Sequence, residues 1–412
     1  MTHAAGDAPA VCHLDTGVAR THRLLEGALH HDDLHDVIGD SGFDVEGHGT
    51  KMAGLALYGP LDRLLTGSGP LTLTHRLESV RIIPGQDEPH TAPRDYGTVT
   101  VQAVAAPEAT ASRRRVFCMP VSTAPDRPGE PTLWSATIDA LAAGTDIVRD
   151  GAQLRLLSQP DPEAARLIVV SAGNVNNFVA DHLAESDTTT VEDPGQAWNA
   201  LTVGAHTELN QSPSHPDYAG WSAVAPVGEL SPHSRTSLPY DRKWPLKPDI
   251  CMEGGNVLTD GASLFETRHA SVSLRTVARD SDLAITNANA TSAASAQAAR
   301  LAALSMSRYP DYWPETIRGL LTHAAEWTPV MRSSIDREHK AGGKKRQLQM
   351  LRRYGWGVPT EESVLTSSRQ AVTLVTQDTF VPSKVWRMRC GTSGFMRFRG
   401  RPMPSRRSTR VT

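Results

Sequence analysis

Short apolar runs of strand length alternate with longer segments of helical spacing along most of this 412-residue chain. Strand-like runs fall near Val80 to Ile83, Val116 to Val121, Leu167 to Val170 and Ala200 to Gly204. Helix-like runs fall near Ser135 to Ala143, Ser292 to Ser307 and Pro314 to Ala325, the last opened by a proline suited to a first helical position. The pattern predicts an α/β fold, a doubly wound and mainly parallel sheet with helices on both faces. The catalytic or binding groups of such a sheet collect outside the carboxyl ends of its strands.

Residues suited to hydrolytic chemistry fall at such places. Pro9 to Leu14 reads as a buried strand that delivers Asp15 of Asp15-Thr16-Gly17 to its end. His48-Gly49-Thr50 opens a segment to Leu57 with Met52, Leu55 and Ala56 on one helical face, and Gly49, Ala53 and Gly54 allow close packing. Leu167 to Val170 leads into Ser171-Ala172-Gly173-Asn174, an apolar run ending in an amide donor. Asn289-Ala290-Thr291-Ser292-Ala293 opens an alanine-rich segment, and a helix there aims its positive end at Ser292. Each motif alone has a bland reading as a turn, a helix start or an N-cap. Together they supply an acid, an imidazole and a hydroxyl in the order Asp, His, Ser, one of the convergent orders of the serine-hydrolase triad. A serine hydroxyl needs a base to take its proton, and a carboxylate fixes the tautomer of that base. The chain contains no G-x-S-x-G, which argues against the α/β-hydrolase version of this chemistry.

From about Val11 to Gly357 the chain resembles the subtilisin-like serine peptidases, the subtilases. The resemblance implies that Asp15 orients His48, that His48 is the general base, that Ser292 is the nucleophile and that Asn174 donates to the oxyanion. It further implies an acyl-enzyme intermediate in endopeptidase cleavage of a protein or peptide substrate. Ala290 stands where the family usually carries glycine, and the Lys247-Pro248-Asp249-Ile250 stretch continues into Glu253-Gly254 where the family has Ala-Pro. That stretch reads physically as a buried strand followed by a glycine turn. The run Arg115 to Thr123 is expected to form an edge strand beside the cleft, with Pro120 marking an edge position where proline is allowed. It would line the side-chain pocket together with Ser171 to Gly173.

The net charge of −3 gives no bias toward nucleic acid or anionic membrane, and no apolar run is long enough to span a bilayer. Met1 to Gly6 has neither the basic start nor the apolar region of a secretory signal, so the expectation is cytoplasmic. Cys12, Cys118, Cys251 and Cys390 are far apart and lack metal-ligand spacing, which predicts free thiols. His30-His31-Asp32-Asp33-Leu34-His35-Asp36 has metal-binding residue types, but its composition reads as a solvated loop. No metal and no cofactor are therefore expected. The subtilase-like domain is expected over 1–370. Residues 371–412 read as a basic tail, disordered or a truncated remnant, because no acidic residue follows Asp378 while Lys and Arg continue. Two functions of different class remain: a serine endopeptidase, or a non-catalytic binding or regulatory module on the same scaffold. A regulatory protein partner is compatible with either, though no residue identifies one.

Overall fold

The computed structural model describes residues 1–67, 69–150, 153–280, 282–338, 343–366, 375 and 377. The strands that position the site are β1 (Ala10–Asp15), β2 (Leu29–Asp36), β3 (Arg76–Arg81), β4 (Arg115–Met119), β5 (Leu167–Ser171), β6 (Leu201–Thr207), β7 (Glu229–Leu230) and β8 (Ile250–Glu253). They form one eight-stranded sheet in the order β7-β6-β5-β4-β1-β3-β2, with β8 also pairing with β6. All pairings are parallel except that of the two-residue β7. The chain leaves β1 for β2 and β3 on one side and returns to β4 on the other. This reversal opens a crevice at the carboxyl ends of β1 and β4.

The principal helices are α1 (His48–Tyr58), α2 (Tyr96–Thr110), α3 (Leu133–Ala142), α4 (Ala290–Arg308) and α5 (Pro314–Ala324). The period-2 alternation of the strands sorts their side chains onto two faces. Val11, Leu77, Val116 and Leu167 pack against α1 and the alanine face of α4. Cys12, Leu14, Val80, Phe117 and Ile168 pack against Ala103, Val104, Trp134 and Ile138 of α2 and α3. The sheet is thus covered on both faces, as the alternating sequence pattern requires. Each fully buried Val, Leu, Ile or Phe side chain contributes about 1.5–3 kcal/mol relative to exposure.

Two expectations change. Arg115 to Thr123 is not an edge strand: β4 ends at Met119 and lies in the interior of the sheet, between β1 and β5. Pro120 follows the last strand residue, where the missing N–H disturbs no ladder. His30 to Asp36 belongs to β2, the sheet's edge, rather than to a loop. Leu29 pairs with Leu77 and Leu34 with Ser79 across a register break. A charged, bulged strand is tolerated there because one side faces solvent, and such features also discourage edge-to-edge pairing. Leu29 is buried while His30, His31 and Asp32 are exposed, and Asp33 accepts from Arg113 Nη1 at 3.0 Å. The Ile250–Glu253 strand and the turn at Gly255, with φ 77°, match expectation. Cys12, Cys118 and Cys251 are buried and free, while Cys390 and the basic tail lie outside the described residues apart from positions 375 and 377.

Candidate active site

β1 ends on Asp15, fully buried, with both carboxylate oxygens 2.8 Å from His48 Nδ1. The backbone N–H of Thr16 donates to Oδ1 at 2.7 Å. Burial works to raise the pKa of Asp15, but the charge of His48, the close approach of the His13 ring and the hydrogen bond from His48 outweigh it and hold the carboxyl well below its ordinary range. For His48 burial works downward, and the charge and hydrogen bond of Asp15 overcome it, leaving the imidazole above its ordinary 6.5. The ring is 35% exposed, so solvent screening tempers the shift. With Nδ1–H given to Asp15, the lone pair of Nε2 is left for a proton acceptor's work.

The helix that carries His48 is fixed by residues that the sequence reading did not single out. Asp44, fully buried, accepts from Gly47 N at 2.7 Å, Thr50 N at 2.7 Å and Thr16 Oγ1 at 2.9 Å. Thr16 Oγ1 in turn accepts from Gly49 N at 2.8 Å. These contacts satisfy first-turn N–H groups that have no partner within the helix, and they tie the start of α1 to the end of β1. Gly49 is needed there: a Cβ on it would lie 2.0 Å from the Gly17 carbonyl oxygen. Asp44 lies four positions before His48 in a polar stretch, and nothing in its spacing distinguished it from a turn aspartate.

The other half of the site is built where α4 starts. Ala290 N–H donates to Gly254 O at 2.6 Å, so the turn after β8 sets the start of the helix. Thr291 donates to Asn174 Oδ1 twice, from its N–H at 3.0 Å and from its hydroxyl at 2.7 Å. A backbone N–H can only donate, which fixes the amide orientation: Oδ1 faces Thr291 and Nδ2 is left to donate elsewhere. Ser292, 6% exposed, is the next residue, and its own N–H is one of the first-turn groups without an intrahelical acceptor. Its hydroxyl donates to Pro120 O at 2.8 Å. The Ser292–His48 hydrogen bond is therefore not formed in this resting arrangement, and His48 Nε2 has no partner among the described residues. Such bonds often tighten only with substrate bound.

The β4–β5 ladder ends at Met119 and Val170, and residues 120–122 and 172–174 continue beyond it. Thr123 and Asp193 exchange backbone hydrogen bonds at 2.8 and 2.9 Å. The preceding residue, Glu192, accepts from Ser122 Oγ at 2.6 Å and pairs with Arg235 at 2.8 Å. Gly173, with φ 90°, lies against it, and a Cβ there would sit 2.5 Å from Glu192 Oε2. The same Arg235 guanidinium donates to Asn174 O at 2.8 Å and Thr190 O at 3.1 Å. Ser122 falls in the run expected to line the side-chain pocket, whereas Glu192 and Arg235 carry no sequence signal because they meet only through contacts distant in sequence.

A family model described as the subtilase family matches residues 6–357. The chain belongs to the subtilase family. It is accordingly a subtilisin-like serine endopeptidase; of the four residues chosen by motif, Asp15 and His48 are hydrogen-bonded to each other, while Asn174 bonds Thr291 and Ser292 bonds Pro120 O. Among solved structures, Sphericase superposes with a TM-score of 0.50 at 18% identity, covering 79% of this chain and 84% of its own. A crystal structure of the epidermin leader peptide processing serine protease EpiP from Staphylococcus aureus gives a TM-score of 0.50 at 15% identity, covering 90% of this subtilase and 78% of its own chain. At those identities the likeness concerns the fold. No curated protein is similar enough in sequence to match. Among the described residues no group of three or more His, Cys, Asp and Glu side chains is arranged to hold a metal ion.

Proposed function

We propose that this subtilase cleaves peptide bonds within protein or peptide substrates with Ser292 as nucleophile, His48 as general base, Asp15 as its orienting carboxylate and Asn174 as oxyanion donor. The observation that carries the reading is the Asp15–His48 contact at 2.8 Å from both oxygens, which commits Nδ1–H to the acid and frees Nε2. Rotation about the Ser292 Cα–Cβ bond would release the hydroxyl from Pro120 O toward that nitrogen. Ser292 Oγ attacks the scissile carbonyl as its proton passes to Nε2, and the carbonyl electrons move onto oxygen. Asn174 Nδ2 and the Ser292 N–H stabilise that oxyanion more than the ground-state carbonyl. Collapse expels the amine, which takes the proton from His48 and leaves an acyl-enzyme. Water then attacks with His48 again as base, releasing the acid and restoring Ser292. The substrate's side chain beside the scissile bond would be received between residues 120–122 and 172–174, beside Glu192. A reducing, cytoplasmic setting is part of the proposal, supported by the free thiols of Cys12, Cys118 and Cys251.

The test is labelling with a serine-reactive fluorophosphonate, with the adduct located by mass spectrometry, alongside peptide hydrolysis by wild type and Ser292→Ala. Labelling at Ser292, with both signals lost in a folded Ser292→Ala variant, is expected. Unchanged turnover in that variant overturns the assignment. A folded wild type that neither labels nor hydrolyses points instead to a binding or regulatory module, the reading that the Ser292–Pro120 hydrogen bond would then favour.

A further inference from the structure

β1 carries a second histidine that the mechanism above does not use. His13 lies two residues before Asp15, so strand alternation puts both side chains on the face toward α1 and α4. It is fully buried, and its Nε2 approaches Asp15 Oδ2 to 3.2 Å. That approach lies off the axis of a full hydrogen bond, and neither ring nitrogen has another partner. A bare lone pair on Nε2 would face the lone pairs of a carboxylate oxygen, which is repulsive. The proton therefore belongs on Nε2, with the positive end of the N–H dipole turned to Asp15.

We propose that His13 is a positioning residue for Asp15, so that the carboxylate is shared by two imidazoles and its pull on His48 is moderated. The inference rests on the reading of Asp15 and His48 as acid and base. His48 gains basicity from the negative charge beneath it, and a second donor on that carboxylate offsets part of the field. His13 also holds the oxygen that faces away from Thr16 N, restraining rotation of the carboxylate.

The surroundings leave few other groups to produce this effect. On β3, Ser79 lies in register with His13 and its hydroxyl is buried without a partner. Arg81 lies beside Asp15, but its guanidinium is engaged by Asp36 and Glu88. On β4 the register neighbour is Cys118, whose thiol burial pushes well up and which stays neutral. On and before α1, Lys51 lowers and Asp44 raises the His48 pKa. The first ionisable side chain of α4 is Arg300, which pairs with Glu361.

The experiment is an NMR titration of the His48 ring in the resting protein, in wild type, His13→Leu and His13→Gln. The low-field Nδ1 proton between His48 and Asp15 is recorded alongside. Leucine fills much of the volume without a donor, while glutamine keeps a donor that reaches Asp15. His13→Leu should raise the His48 midpoint by about half a pH unit or more and move the Nδ1 proton resonance. His13→Gln should restore both toward wild type. The acid limb of kcat/KM should follow the same order. A folded His13→Leu with the wild-type midpoint overturns the proposal, as does a glutamine variant that shifts as far as leucine. If His13→Leu does not fold, His13→Asn, too short to reach Asp15, takes its place in the comparison with glutamine. The titration needs no turnover, so its failure is distinguishable from failure of the peptidase reading.

Discussion

Ala290 carries the clearest backbone strain near the site. It adopts φ 71°, left-handed for a residue with a Cβ, at the first position of α4 and two residues before Ser292. Its N–H is committed to Gly254 O and the next residue to Asn174, so the turn cannot relax without disturbing the Asn174 amide. The left-handed conformation costs an L-residue about 1–2 kcal/mol, and glycine's greater freedom in the unfolded chain returns about 0.4–1 of that, so Ala290→Gly should stabilise the protein by roughly 0.5–1 kcal/mol. The measurement is urea unfolding followed by tryptophan fluorescence. It is made in a Ser292→Ala background, so that unfolded chains are not digested during the experiment. Ala284→Gly is an internal control: Ala284 is also left-handed, with φ 53°, but lies away from the start of α4, and a gain of the same sign is expected. With Ser292 restored, Ala290→Gly should keep its turnover, because glycine adopts the same φ without moving Thr291. A variant that is no more stable than its parent, while Ala284→Gly gains, would refute the strain argument for this turn.

Activity should rise with pH through a midpoint above 6.5, because His48 is raised from that value and must be neutral to accept the serine proton; a flat rate profile from about pH 5 to 9 with chemistry rate-limiting would contradict this. The stability linked to the same pair runs the other way: the raised His48 contribution is complete below its unfolded value and lost as pH rises through the folded one. The depressed Asp15 contribution is present above its unfolded value and lost only as pH falls through its folded one. Denaturation of Ser292→Ala from neutral pH upward reads the first sign, and denaturation carried into acid below the ordinary aspartate range reads the second. Asn174→Ala should lower kcat by about 10²–10³ with little change in KM. That magnitude was measured on subtilisin's own asparagine and is carried over from a relative, and a defect confined to KM in steady-state kinetics would remove Asn174 from the mechanism.

The sheet is legible because its central strands are continuous apolar runs, and Asp15, His48, Asn174 and Ser292 stand out as candidates because each opens or closes such an element. What escaped depends on tertiary context. Asp44 acts through hydrogen bonds to backbone groups and to a partner remote in sequence, and a lone Asp in a polar stretch carries no mark of that. The β2 sequence reads as a loop because an edge strand needs an apolar residue at only a few positions, and Leu29 and Leu34 supply them across a register break. α2 contains Pro107 and lacks a clear apolar stripe, so its helical character emerges only against the sheet. The Arg115–Thr123 run was given the wrong place because composition describes a strand's burial poorly when a proline follows it. His13 did leave a signal: a histidine two residues before an aspartate on a strand must share its face.

Arg235 joins two parts of the site. One guanidinium fastens both the backbone of Asn174 and the carboxylate of Glu192. A change at Glu192 therefore also removes the counter-charge of Arg235 and loosens the segment that carries the Asn174 amide. Under the proposed roles, selectivity and speed would be yoked: a lineage drifting toward a different cleavage preference would either alter Arg235 in concert or pass through a slower enzyme.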